Sequence, residues 1–302
     1  MTTPHAAERQ PTPCSPTQPV PSPTAARQWS GALDLHYRHD SVWGTRLKHR
    51  HHGPMRVFKS LYPEGPNCCH TVLVHPPGGL VGGDELDIDV RLDPNAHALI
   101  STPGAARFYA SDDAKAVQRV RVQLAEGARL EWCPLEAIAY PGCRAESHWR
   151  AALAPGAQLL AWDLVALGLP ATAQAFDHGH YLQRWSIDGL WREHARIDAA
   201  DQRLMQGRLG LRGHNTLGTL VLAQGSAWSK AQQDELLACC RDALQAHGDV
   251  PLAATAPNPQ MVVLRGLAHQ AEPLMAGLQA AWAALRHAAW GLDAAAPRVW
   301  RV

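Results

Sequence analysis

The chain has 302 residues, enough for one large domain with a sizeable buried core. Its formal net charge is +1 and charged residues make up only 18%, which excludes nucleic acid and anionic membrane as partners held by bulk electrostatics. No apolar run is long enough to span a bilayer, and no basic segment followed by an apolar core opens the chain; a soluble, cytoplasmic protein is expected.

Residues 1–27 are dense in Pro, Thr, Ser, Gln and Ala and carry no apolar period. Such a segment buries too little surface to offset its chain entropy, so a disordered Pro-rich tail is expected, followed by a single β-rich domain over residues 28–302. From Trp29 the pattern is β. Leu33, Leu35 and Tyr37 alternate with polar residues, residues 45–50 continue as a strand with a basic face, and Met55 to Leu61 reads as another. Thr71 to Val74 is a β-branched and aliphatic run that fits a buried strand. Pro76-Pro77 removes two donors and must end it. Two Gly pairs, Gly78-Gly79 and Gly82-Gly83, bracket Leu80-Val81 and precede Asp84. Leu86 to Leu92 then alternates strictly, which predicts a strand with one dry face.

Further strands are expected within 96–101, 105–110, 120–124, 130–133, 147–153, 159–165, 183–187, 190–197 and 217–223. Two helices come late. Ser229-Lys230-Ala231-Gln232 is a capping box ahead of Leu236, Cys240 and Leu244, with Gly248 as the stop. The second begins near Pro273, carries Leu274, Leu278, Trp282 and Leu285 on one stripe, and ends at Gly291. Met261 to Gly266 reads as a buried strand between them. The fold class is mostly β: a layered strand body with two late α-helices.

Candidate chemistry is sparse. The Gly loop lacks the Gly-Lys-Ser/Thr ending of a phosphate cradle, and Asp84 would repel a phosphate. Seven Cys, including adjacent pairs and no Cys-x-x-Cys, fit a reduced compartment rather than a disulfide framework. Cys68, Cys69, His70 and His75 offer soft and borderline ligands, but on one strand only Cys68 and His70 share a face. Glu136 lies between two apolar runs, either solvated at a turn or lining a polar passage. Asp163, inside Leu159 to Val165, must be hydrogen-bonded or face water within the fold. Neither a Gly-x-Ser-x-Gly elbow nor a His-Glu-x-x-His helix is present, and Thr102-Pro103 reads as local structure.

Taken in order, these pieces resemble a known family. They are Leu61-Tyr62-Pro63-Glu64-Gly65, Cys69-His70, His75-Pro76-Pro77-Gly78-Gly79 with Gly82-Gly83-Asp84, Thr102-Pro103 leading to Arg107-Phe108-Tyr109, and Glu131-Trp132-Cys133-Pro134-Leu135-Glu136. With Gly142-Cys143-Arg144, Trp162-Asp163 and Leu167 to Ala171, the set closely resembles the urease accessory protein family UreD, also called UreH. The resemblance implies a β-helix-like body and a non-enzymatic scaffold in nickel insertion into urease. It implies binding to a UreF-type accessory protein, through it to a UreG-type GTPase, and docking onto apo-urease. No tightly bound cofactor is implied; nickel would pass transiently, with Asp84, Glu136 and Asp163 lining the passage and His70 and His75 as secondary ligands. The Pro-rich extension and the doubled Cys68-Cys69 depart from the family pattern, and Cys68 is not carried over as a ligand.

Two readings compete with the scaffold. A β-rich metal-dependent hydrolase would use the His and Asp set, hold stoichiometric metal and act alone. A carbohydrate-binding β module would expose aromatics on one face, which the eleven Trp permit.

Overall fold

The computed structural model describes residues 29–301; the expected tail over 1–27 lies outside them. The first hairpin, β1 (Ser30–Asp40) and β2 (Gly44–His52), is antiparallel and belongs to a seven-stranded sheet. The chain then opens a second, ten-stranded sheet with β3 (Arg56–Val57) and β4 (Cys68–Val74). From there it commutes between the two. β5 (Glu85–Leu92) returns to the first sheet; β6 (His97–Ser101) and the short β7 (Ala106–Phe108) go to the second. β8 (Ala116–Leu124), β9 (Arg129–Trp132), β10 (Ala137–Ala139), β11 (Arg144–Leu153), β12 (Gln158–Leu167) and β13 (His180–Ile187) repeat the circuit.

Each return lands parallel to the previous rung. The runs β1-β5-β8-β11-β13 and β4-β6-β9-β12 are parallel throughout, so the body is a stacked coil resembling a β-solenoid. β14 (Trp191–Asp198) closes the first sheet antiparallel to β13. After the short α1 (Gln202–Gln206), β15 (Thr216–Gln224) pairs antiparallel with β12. The helix α2 (Lys230–Leu244), the strands β16 (Leu252–Thr255) and β17 (Met261–Ala268), and α3 (Ala271–Trp290) follow, with a 3-10 turn over Arg298–Trp300 near the end of the described residues.

The layering explains the strand sequences. The first sheet has one dry face, so β5 buries Leu86, Ile88, Val90 and Leu92 and exposes or half-exposes the residues between. The second sheet is covered on both faces, by the first sheet on one side and by α2 and α3 on the other, so β4, β6 and β12 are buried at nearly every position and show no polar alternation. Cys69 packs with the inter-sheet core while Cys68 packs under the helices, as alternation along β4 requires. The expected stripe of α3 is buried as read, with Met275, Ala281 and Trp290 added. Each fully buried Leu or Trp there contributes about 1.5–3 kcal/mol or somewhat more. Trp282 and Trp290 therefore belong to the core and offer no exposed partner patch.

Local differences from the sequence reading have simple causes. Met55 to Leu61 yields only the two-residue β3, because it forms the sheet's edge, where Phe58 and Leu61 stay exposed and Leu61 makes only an isolated bridge to His70. α2 ends at Leu244 and tightens into a 3-10 turn over Gln245–His247, so Gly248 follows the helix without taking a left-handed conformation. α1 was not anticipated; Asp201 caps it by accepting from the Leu204 amide at 2.9 Å. The capping box at Ser229 forms as read, with reciprocal bonds to Gln232. Ser229→Ala is expected to lower stability by about 1 kcal/mol, read as a shift of the urea midpoint at constant slope.

Candidate functional site

The two sheets do not close on each other completely. Between them lies a cavity of about 270 Å³ whose lining includes Leu73, Ile88, Trp132, Trp149, Tyr181 and Trp185, with Asp163, Ser147 and Gln118 as polar residues. It reaches the surface where exposed Gly104 and Arg107 and half-buried His75 and Thr102 line it. The corner at residues 75–84 shapes this mouth. Gly78 takes φ +79°, and a Cβ on Gly79 would meet the Tyr109 ring at 2.2 Å, so only glycine allows this approach. Leu80, 2% exposed, bridges to Phe108, while Val81 faces solvent at 49%. Thr102 Oγ1 accepts from the Leu135 amide at 2.9 Å and braces the opposite rim.

Asp163 is the chemical centre of the cavity. Its place on β12 points it between the sheets, enclosed by protein yet still reachable by a water-sized sphere. Burial pushes its pKa up to about 6; a hydrogen bond from Gln183 Nε2 opposes that, and the nearby charge of Glu193 adds to it. Glu193 on β14 is itself raised by burial and pairs with Arg265. The Trp149 indole N–H, also on the lining, has no protein acceptor. Polar groups with unused capacity in a chamber of this size suit water or a hydrated ion.

The residues singled out by sequence fall into three places. Asp163 and His75 line the same cavity. Asp84 sits beside its mouth: its carboxylate braces the loop, accepting from Val81 N at 3.0 Å and Trp29 N at 3.4 Å. Desolvation holds the His75 imidazole below its usual pKa and the Asp84 charge partly restores it, so the ring offers a lone pair at neutral pH. Glu136 follows the lining residues Pro134 and Leu135, is half-buried, and holds β7 through its carbonyl, which accepts from Ala106 N at 2.9 Å. His70 lies on the opposite face of the second sheet, away from the cavity lining.

There His70 joins a second polar cluster, under α3, that the sequence reading missed. His70 Nε2 donates to Glu64 Oε1 at 2.6 Å, and the Arg286 guanidinium, fully buried, pairs with Glu64 and with Glu131 at 3.1 Å. Glu131 also accepts from His97 at 2.8 Å and from the Trp282 indole at 2.6 Å. Burial works to raise the Glu64 carboxyl, but the hydrogen bonds from His70 and Arg286 overcome it and hold the pKa at about 2. Arg286, four residues after Trp282 and directly after Leu285, falls on the apolar stripe of α3 and was the available signal.

A family model described as UreD urease accessory protein matches residues 30–301. The chain belongs to the UreD family of urease accessory proteins. Curated UreD relatives cover it almost end to end. Urease accessory protein UreD of Leptothrix cholodnii is 53% identical over 278 residues, and that of Variovorax paradoxus 49% over 273, each match spanning 90% of this chain and 99% of the relative. UreD of Albidiferax ferrireducens is 50% identical over 273 residues, with the same coverage. Membership makes the chain a urease accessory protein with a role in urease maturation and not an enzyme, so the hydrolase reading falls. The match extends the resemblance through the helical C-terminal part, beyond the quoted motifs, which end at Ala171. Among the described residues no helix of this UreD is long and apolar enough to cross a membrane.

Proposed function

We propose that this UreD is a cytoplasmic scaffold that binds a UreF-type accessory protein, through it a UreG-type GTPase, and apo-urease, and that nickel passes through the cavity between its sheets. The observation that carries this reading is Asp163: one carboxylate, enclosed but water-accessible, whose excess charge a passing cation relieves as a proton would. A single carboxylate on the lining holds an ion far more weakly than a four-ligand cage, and release is what delivery requires. His75, with Asp84 behind it, meets the ion at the mouth; Glu136 stands at the opposite rim beside Leu135. Nickel is cargo here, and no resident cofactor is required.

The test is nickel per urease active site in cells carrying Asp163→Asn or Asp163→Leu, with accessory-protein pull-down as the control for assembly. Both substitutions are expected to lower nickel loading several-fold while the complex still forms. Full loading with both would end the passage reading and leave the docking role alone; loss of the complex would overturn the separation of docking from passage.

A further inference from the structure

We propose that Glu64, Cys68 and His70 form a binding site for one divalent transition ion of the zinc and nickel class, separate from the cavity. The ligand atoms of the three residues lie within 4.8 Å of one another. β4 presents Cys68 and His70 on the same face, two residues apart, and the turn closed by Gly65 N to Tyr62 O at 3.2 Å folds Glu64 back over them. An ion about 2.0–2.3 Å from each ligand sets neighbouring ligands roughly 3.5 Å apart. Cys68 therefore closes by no more than ~1.3 Å, while the Glu64–His70 contact opens by about 1 Å as the ion takes the place of the shared proton.

The donor set selects the ion. Thiolate, imidazole and carboxylate together suit zinc, nickel and cobalt and disfavour magnesium and calcium. Three protein ligands leave a fourth position open, as in sites that exchange what they bind. Cys68 also neighbours His97 and Glu131, whose ligand atoms make an alternative trio with it. Glu131, however, is already filled by donors from His97, Trp282 and Arg286. Glu64, whose side chain is 15% exposed, is the freer carboxylate.

Charge points the same way. In this cluster two carboxylates share one guanidinium, leaving one excess negative charge in nearly dry surroundings. Binding breaks the Cys68 Sγ–H bond, its proton leaves to solvent, and bonds from sulfur, His70 Nε2 and a Glu64 oxygen to the metal form. His70 keeps its single ring proton, now on Nδ1. A doubly charged ion less one proton adds one positive charge, which brings the whole cluster to neutrality while Arg286 remains with Glu131. Such compensation is what makes a buried charge tolerable.

The experiment uses the purified full chain alone, so it succeeds or fails independently of nickel delivery to urease. Anaerobic titration with cobalt(II) chloride is expected to show one equivalent bound with a thiolate-to-cobalt absorption band in the near ultraviolet, displaced by zinc. Cys68→Ser should abolish the band and Cys69→Ser, on the opposite face of β4, should retain it. Glu64→Gln should weaken binding at least ten-fold by equilibrium dialysis. Circular dichroism melts establish that each variant is folded; Cys68→Ala replaces Cys68→Ser if the latter is not. Binding without the thiolate band, a band that survives in the folded Cys68 variant, binding lost instead in Asp163→Asn, or no stoichiometric binding by the wild-type chain would each overturn the site.

Discussion

Replacing Arg286 by Met is expected to lower the unfolding free energy by about 3–5 kcal/mol. The side chain is completely enclosed at the end of α3 and serves Glu64, Glu131 and the Asp293 carbonyl at once. Met fills much of the same volume, so the loss is not a cavity effect. It comes from leaving two carboxylates in an apolar layer without their common counter-ion, which costs far more than the intact network contributes over an apolar equivalent. Adding Glu131→Gln to Arg286→Met should therefore recover part of the loss, since one orphaned charge disappears. Denaturant melts of the two single variants and the double would measure this; an Arg286→Met effect below about 1 kcal/mol would mean the pair behaves as though solvated.

Asp163→Asn is expected to act in the opposite direction on stability while impairing function. The folded state holds this carboxyl at about 6, above its unfolded value near 3.8, so between those values the native state binds more protons than the unfolded chain. Stability attributable to Asp163 is therefore highest below about pH 4 and falls as pH rises through 6. At neutral pH the ionised group costs on the order of 2–3 kcal/mol. Asn cannot ionise and still accepts from Gln183, so the variant should be more stable than wild type at pH 7.5, with the difference vanishing towards pH 4. Comparing the two chains cancels the acid titration of the remaining carboxylates. A pH-independent difference would show that Asp163 is solvated through the cavity and not held against its preference.

What the sequence disclosed depended on how many faces each element covers. β5 and α3 show their buried sides because one face of each is wet or polar, and period reports that contrast directly. β4 and β12 are covered on both faces, so alternation vanishes; a buried strand was readable, but not which side Cys68 or Leu160 serves. Asp163 was legible for the converse reason, as a lone acid in an apolar run. Glu64 and Glu131 were not, because each looks like an ordinary polar residue until residues far apart in sequence converge; Arg286 stood out only by its place on the apolar stripe of α3, with nothing local to name its partners. The parallel rungs themselves leave no repeat, since pairing through backbone constrains strand length and not side-chain identity.

That convergence also orders events during synthesis. The Glu64–Arg286 contact joins residues 222 positions apart, and Trp300 donates to Ser101 across 199. The strand body can coil rung by rung as the polypeptide leaves the ribosome, yet the helix-facing side of its larger sheet stays uncovered until α2 and α3 have been made. A nascent chain therefore carries an unfinished apolar surface with a buried-type acid at its middle, and chains truncated before residue 286 should depend on cellular holdases where the finished one does not.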